Sequence, residues 1–170
     1  GTPNPKGSLL RSGAKVGDGI FVSGTIGDAA LGLKLRGNRS LLCSSKENSY
    51  CISRYRIPRP RIDLGLALGE VASAAMDISD GLFQDLSHLC GASDVGASVW
   101  ANKIPLSKEV NAFVTEHKFS IEQVITGGDD YELIFTAPVT KEKSIFSMAR
   151  ATKTRITRIG TVQSGREISV

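Results

Sequence analysis

The chain is 170 residues long, 41% apolar and 22% charged, with a net charge of +4. That size and balance describe one globular domain with a core of its own and exclude a disordered tail or a low-complexity fibre. No apolar run approaches the roughly 18 residues of a membrane helix, and Gly1–Ser8 lacks the apolar centre of a secretory signal, so the sequence reads as a cytoplasmic protein without a membrane partner.

In chain order, Gly19–Thr25 alternates apolar and polar residues as a strand does, and Gly27-Asp28 opens an Ala/Leu-rich helix to about Arg36. From Gly37 to Tyr55 the Ser/Asn/Lys-rich composition has little periodicity and predicts a polar loop with at most a short helix. The prolines around Arg59-Pro60-Arg61 form a rigid connection into a helix predicted over Leu66–Ala75. Met76–Ile78 is a short strand, and Leu82, Phe83, Leu86 and Leu89 recur at helical spacing. Beyond them the pattern predicts a strand over Gly96–Ile104, a helix over Ser107–His117 capped by Ser107, and a buried strand over Tyr131–Ala137. A helix over Thr140–Thr152 and a last strand over Arg155–Val162 follow. The expected fold is α+β: a layered α/β sandwich in which helices flank a mixed sheet of about four strands, forming a single domain over residues 1–170.

Three cysteines, Cys43, Cys51 and Cys90, are odd in number and form no C-x-x-C pair, and His88 and His117 stand too far apart to suggest zinc. Reduced structural thiols are the simpler reading. The positive charge raises a nucleic-acid hypothesis, but the densest basic stretch, Arg54 to Arg61, holds one aromatic, Tyr55, and two prolines. No nucleic-acid partner is expected.

Chemistry concentrates in two places. In Met76-Asp77-Ile78-Ser79-Asp80-Gly81-Leu82 two carboxylates bracket a hydroxyl in a turn between a strand and a helix. One such residue could cap the helix, but capping needs only one, and a second carboxylate three positions away adds repulsion that Mg2+ would relieve. In Thr126-Gly127-Gly128-Asp129-Asp130-Tyr131-Glu132-Leu133 paired glycines and three acids precede a hydrophobic strand. A tight turn explains the glycines; the acids suit a cationic ligand or a metal. Arg11 is either a surface charge or a bidentate phosphate contact.

Taken in order, Arg11–Asp18, Gly24–Asp28, Arg59–Arg61, Met76–Leu82 and Thr126–Leu133 resemble the C-terminal half of the thiamine-monophosphate kinases, in the superfamily of aminoimidazole ribonucleotide synthetase. The resemblance implies that superfamily's C-terminal-domain fold and an upstream domain outside this chain that carries further acidic metal ligands and most contacts of a homodimer. It implies ATP-dependent phosphorylation of thiamine monophosphate to thiamine diphosphate with Mg2+ as cofactor, and a 170-residue piece inactive by itself. By position, Asp77 and Asp80 match metal ligands, Arg11 and Ser79 match ATP contacts, and Asp129 matches the acid that meets the thiamine substrate. The family usually has Glu where this chain has Asp129, one methylene shorter, which lengthens a direct contact or puts a water in it. The residue types agree with the chemistry: phosphoryl transfer needs alignment and charge neutralisation rather than a covalent nucleophile, so no protein group is assigned as catalytic in that sense. Two other readings remain: a synthetase-type domain of the same superfamily acting on another acceptor, and a nonenzymatic nucleotide-binding module.

Overall fold

A computed structural model describes residues 8–37, 45–116 and 119–170. Its centre is a mixed sheet in the order β2-β4-β1-β5-β3-β6, formed by β1 (Gly19–Ser23), β2 (Ala74–Ile78), β3 (Gly96–Val99), β4 (Glu132–Ala137), β5 (Ile156–Gln163) and β6 (Ile168–Ser169). Every pairing is antiparallel except β3 with β6. Alternation along the strands builds two cores. On one face Ile20, Val22, Ile78 and Ile134 meet α1 (Asp28–Gly37), α4 (Leu82–Ser93), α5 (Lys108–Thr115) and α6 (Ile121–Thr126). On the other, Phe21 and Phe135 lie opposite each other in register, stacked 5.3 Å apart, beneath Leu64 and Leu68 of α3 (Ile62–Leu68) and Ile145 of α7 (Glu142–Ala151). Helices therefore cover both faces, as the α+β layered reading requires.

Several sequence expectations need correction. The sheet has six strands rather than about four: the five strands placed along the sequence are all in it, and the two-residue β6 beyond Val162 is added. The helix expected over Leu66–Ala75 is instead α3, which ends at Leu68, while Ala74 already belongs to β2. Pairing of Ala74, Ala75 and Met76 with Thr136, Phe135 and Ile134 overrides the helical preference of alanine. The strand expected to reach Ile104 stops at Val99 and gives way to a 3-10 turn, Ala101–Lys103. α6 was not expected at all; its six residues start at a Ser120/Gln123 capping box. The polar stretch up to Tyr55 contains most of a twelve-residue helix, α2 (Ser45–Arg56), which packs on α1 where Gly32 lets the Cys51 carbonyl and Tyr55 approach its backbone. Ser107 caps α5 as expected, its hydroxyl accepting from the Val110 N–H at 3.1 Å. Cys51 and Cys90 are free and buried, and burial raises both thiols, Cys90 to about 11. Cys43 and His117 lie outside the described residues, and His88 is exposed on α4. No helix among the described residues is long and apolar enough to cross a membrane.

Candidate active site

β2 is an edge strand, and at its C-terminal end the chain turns through Ser79, Asp80 and Gly81 into α4. Such a turn leaves backbone N–H groups without acceptors. Neither polar side chain of the turn, nor Asp77 before it, supplies one: the N-cap position is Gly81, at φ +122, with no side-chain cap. The acceptor is Asp85, a turn further along α4 and 1% exposed. Its Oδ2 takes the N–H groups of Ser79, Asp80 and Gly81 at 2.9, 3.0 and 3.2 Å. Asp77 and Asp80 are consequently free of the capping duty and exposed. Asp80 makes only long contacts, to the Ser79 hydroxyl and the Gln84 amide, each at 3.5 Å.

The second acidic segment is bonded to the first. The Asp129 N–H donates to the Ser79 carbonyl and the Tyr131 N–H to the Ile78 carbonyl, both at 2.9 Å. Gly128 permits this approach, since a Cβ there would drive into the Ser79 carbonyl. Asp129 and Tyr131 both hold left-handed backbone, at φ +69 and +50, which costs energy for an aspartate and more for an aromatic residue. The effect is to alternate the side chains sharply. Asp130 and Glu132 turn inward, whereas Asp129 is half-buried and Tyr131 is 38% exposed.

Tyr131 stands between two depressions. One, of about 320 Å³, holds Asp77 with Arg61, Leu133 and Ile62; the other, of about 430 Å³, holds Asp129 with Arg36, Arg56 and Tyr55. The acids of the two motifs thus open on adjacent clefts that share one aromatic wall, a size range suited to small ligands.

Beneath them lies a buried ionic cluster that sequence reasoning missed. Glu132, fully buried, accepts from Arg54 Nη2 at 2.8 Å, from Arg61 Nε at 2.7 Å and from the Ser23 hydroxyl at 2.5 Å. The bond to Glu132 holds the Arg61 guanidinium above its ordinary value. Arg54 also reaches the Asp130 carbonyl at 3.0 Å. The Asp130 carboxylate binds the N–H groups of Gly27 and Ala29 at 2.7 and 3.1 Å, holding the start of α1. Burial pushes Asp130 up to about 7, against the pull of those two donors. Asp28 accepts from Tyr50 at 3.1 Å, and burial and Asp28 together raise that phenol. Asp28 Oδ1 and Arg54 Nη1 have no partner. Arg54 and Arg61 are therefore occupied internally, which removes two cations from the basic stretch that raised the nucleic-acid hypothesis. The available signal was the acid four residues after Gly81 and the acid immediately before the β4 hydrophobic run.

Among the proposed site residues, Asp77, Ser79, Asp80 and Asp129 are brought to one end of the sheet. Arg11 is exposed on the segment beside β2, where the Leu10 carbonyl accepts from the Ala75 N–H at 2.9 Å; its own carbonyl accepts from Ser93 at 3.5 Å, near the opposite end of α4. The structure gives Arg11 no contact with the acidic turn. No group of three His, Cys, Asp or Glu side chains among the described residues is placed to hold a metal ion. Two exposed carboxylates beside a hydroxyl still suit Mg2+, which takes one or two carboxylates and completes its octahedron with water and substrate phosphate.

This fold agrees with the relatives of the chain. The family described as AIR synthase related protein, C-terminal domain, matches residues 15–170, and the chain belongs to it. Within that class it is similar to thiamine-monophosphate kinases, in agreement with the resemblance of its motifs. It is 44% identical over 131 residues to the thiamine-monophosphate kinase of Escherichia coli (strain K12), covering 77% of this chain and 40% of that protein. It is 38% identical over 169 residues to that of Buchnera aphidicola subsp. Schizaphis graminum, covering 95% and 50%. The crystal structure of the enzyme from Stenotrophomonas maltophilia K279a superposes with a TM-score of 0.87 at 36% identity, over 95% of this chain and 52% of that one. AaThiL complexed with AMPPCP and TMP superposes at 0.81 with 35% identity, over 94% and 49%. The chain spans about half the length of these relatives or less.

Proposed function

We propose that the chain is the C-terminal half of a thiamine-monophosphate kinase and takes part in ATP-dependent, Mg2+-dependent conversion of thiamine monophosphate to thiamine diphosphate. The observation that carries the reading is the release of Asp77 and Asp80 from helix capping by Asp85, in a turn bonded directly to Asp129. The names of the relatives and the complex of AaThiL with AMPPCP and TMP support the same substrates.

In this reading Asp77 and Asp80 hold Mg2+, which when bound neutralises phosphate charge and aligns donor with acceptor. The Ser79 hydroxyl donates to a phosphate oxygen of ATP. Asp129 sits opposite the cationic ring system of the substrate. Arg11 offsets phosphate charge once the nucleotide and the upstream half bring the phosphates within its reach. The buried Glu132–Arg61–Arg54 cluster fixes the floor of the two clefts, so that the acids are oriented before ligand arrives. The remaining half of the two-domain protein supplies further acidic ligands and most of a homodimer interface, and the 170-residue chain alone is inactive. A cytoplasmic location fits the reaction.

The test joins the chain to the upstream half of a relative and measures product from a panel of acceptors. Thiamine diphosphate formed from thiamine monophosphate and ATP is the expected result. Preference for another acceptor assigns the chain to a different synthetase of the superfamily, and nucleotide binding without turnover of any acceptor assigns it to a nonenzymatic module.

A further inference from the structure

A second polar cleft lies away from the acidic turn and shares no lining residue with the clefts of Asp77 and Asp129. It has a volume of about 660 Å³, and its lining includes Lys103, Lys108 and Arg155 together with Asn102, Asn111 and Thr157. The three cations come from three separate elements: the 3-10 turn after β3, the first residue of α5, and the segment entering β5. Lys108 and Asn111 are three apart and share one face of α5.

Among the described residues no carboxylate pairs with Lys103 or Arg155, and neither asparagine amide has a hydrogen-bond partner. Lys108 has a loose one, its neighbour Glu109 at 3.7 Å. The walls are held in place. The Pro105 carbonyl accepts from the Ile26 N–H at 2.9 Å and the Arg155 carbonyl from the Gly24 N–H at 2.8 Å, so both sides are pinned to the segment that follows β1. Three exposed cations lining one cleft on fixed backbone, with two asparagines and a threonine in the same lining, have the chemistry of an anion site.

We propose that this cleft binds a small polyanion carrying a diphosphate group, independently of Mg2+ and of the acidic turn. Three cations match the charge of a diphosphate better than that of a single phosphate, and the volume admits a nucleoside diphosphate as well as free pyrophosphate.

Trp100, the single tryptophan of the chain, reports on it. Its carbonyl accepts from the Lys103 N–H at 2.8 Å, and the Arg158 guanidinium lies 5.3 Å above its ring. The experiment titrates the 170-residue chain with pyrophosphate in EDTA and follows Trp100 fluorescence, with calorimetry in parallel. Saturable binding below about 1 mM is expected. Lys103→Glu and Arg155→Glu, both at exposed positions, weaken it about tenfold or more at unchanged melting temperature, a loss of about 1.4 kcal/mol or more each, and Asp80→Asn leaves it intact. ADP binding more tightly than pyrophosphate assigns the site to a nucleotide, and equal affinity assigns it to the free diphosphate. Absence of saturable binding overturns the proposal. So does binding that survives Lys103→Glu and Arg155→Glu but is lost in Asp80→Asn, which would place the anion at the acidic turn instead.

Discussion

Replacing Asp85 by alanine separates the scaffold of the acidic turn from its chemistry. The Asp85 carboxylate accepts three consecutive N–H groups at 2.9, 3.0 and 3.2 Å from a site that is 1% exposed. A hydrogen bond to a charged acceptor contributes about 1.5–3 kcal/mol, and a buried donor left without a partner costs about 1–3 kcal/mol. The Ser79 and Asp80 N–H groups are only partly buried and regain water after the substitution, so the net loss is about 3 kcal/mol rather than the sum of three full bonds. For a chain of this size about 1 kcal/mol moves the melting temperature by about 2–4 °C, so Asp85→Ala lowers it by about 6–12 °C. Asp77→Ala and Asp80→Ala, which remove exposed carboxylates without capping bonds, stay within about 0.5 kcal/mol of the parent. The assay is thermal and urea unfolding of the three variants followed by circular dichroism. A loss of more than about 1.5 kcal/mol in Asp80→Ala, with Asp85→Ala unchanged, refutes the reasoning and returns Asp80 to an ordinary structural role.

Three further outcomes follow from the buried groups. Glu132→Gln leaves Arg54 and Arg61 without their counter-charge and lowers stability by about 3–5 kcal/mol, read from the urea midpoint. Gly128→Ala pushes the Asp129 segment off the Ser79 carbonyl, and amide hydrogen exchange at Asp129 accelerates while the central strands stay protected. Burial raises Asp130 from 3.8 to about 7, so between about pH 4 and pH 7 the native state keeps a proton that the unfolded chain has released. Stability from this residue therefore falls as pH rises through that window, by up to about 1.4 kcal/mol per pH unit, and Asp130→Asn flattens the slope in pH-dependent unfolding.

The fold class and the acidic turn were legible because their signals are local. Helical spacing at Leu82, Leu86 and Leu89 survives in the structure because it matches the face those residues bury, and Gly19–Ser23 is the expected strand, although it is buried on both faces, with Ile20 and Val22 in one core and Phe21 in the other, instead of alternating. Ala74 and Ala75 misled because alanine's preference is weak and the deciding term, pairing with β4, comes from residues about sixty positions away. α2 was illegible because its polar surface carries little periodicity and its position depends on the close approach to Gly32. In the site, the exposure of the acids at 77 and 80 could be read from the sequence, but the division between inward and outward side chains within Asp129-Asp130-Tyr131-Glu132 could not. It follows from two left-handed residues that turn alternate side chains inward, a backbone choice that neither Asp129 nor Tyr131 advertises in composition.

If the Asp77 and Asp80 carboxylates serve a magnesium nucleotide rather than the fold, as proposed, the kinetics of thiamine diphosphate formation by the chain joined to an upstream half change sharply with Asp80→Asn. The expected result is a fall in kcat of about a hundredfold or more, as for loss of an electrostatic contact to the transferring group, with the melting temperature unchanged. Wild-type turnover in the Asp80→Asn enzyme would contradict it.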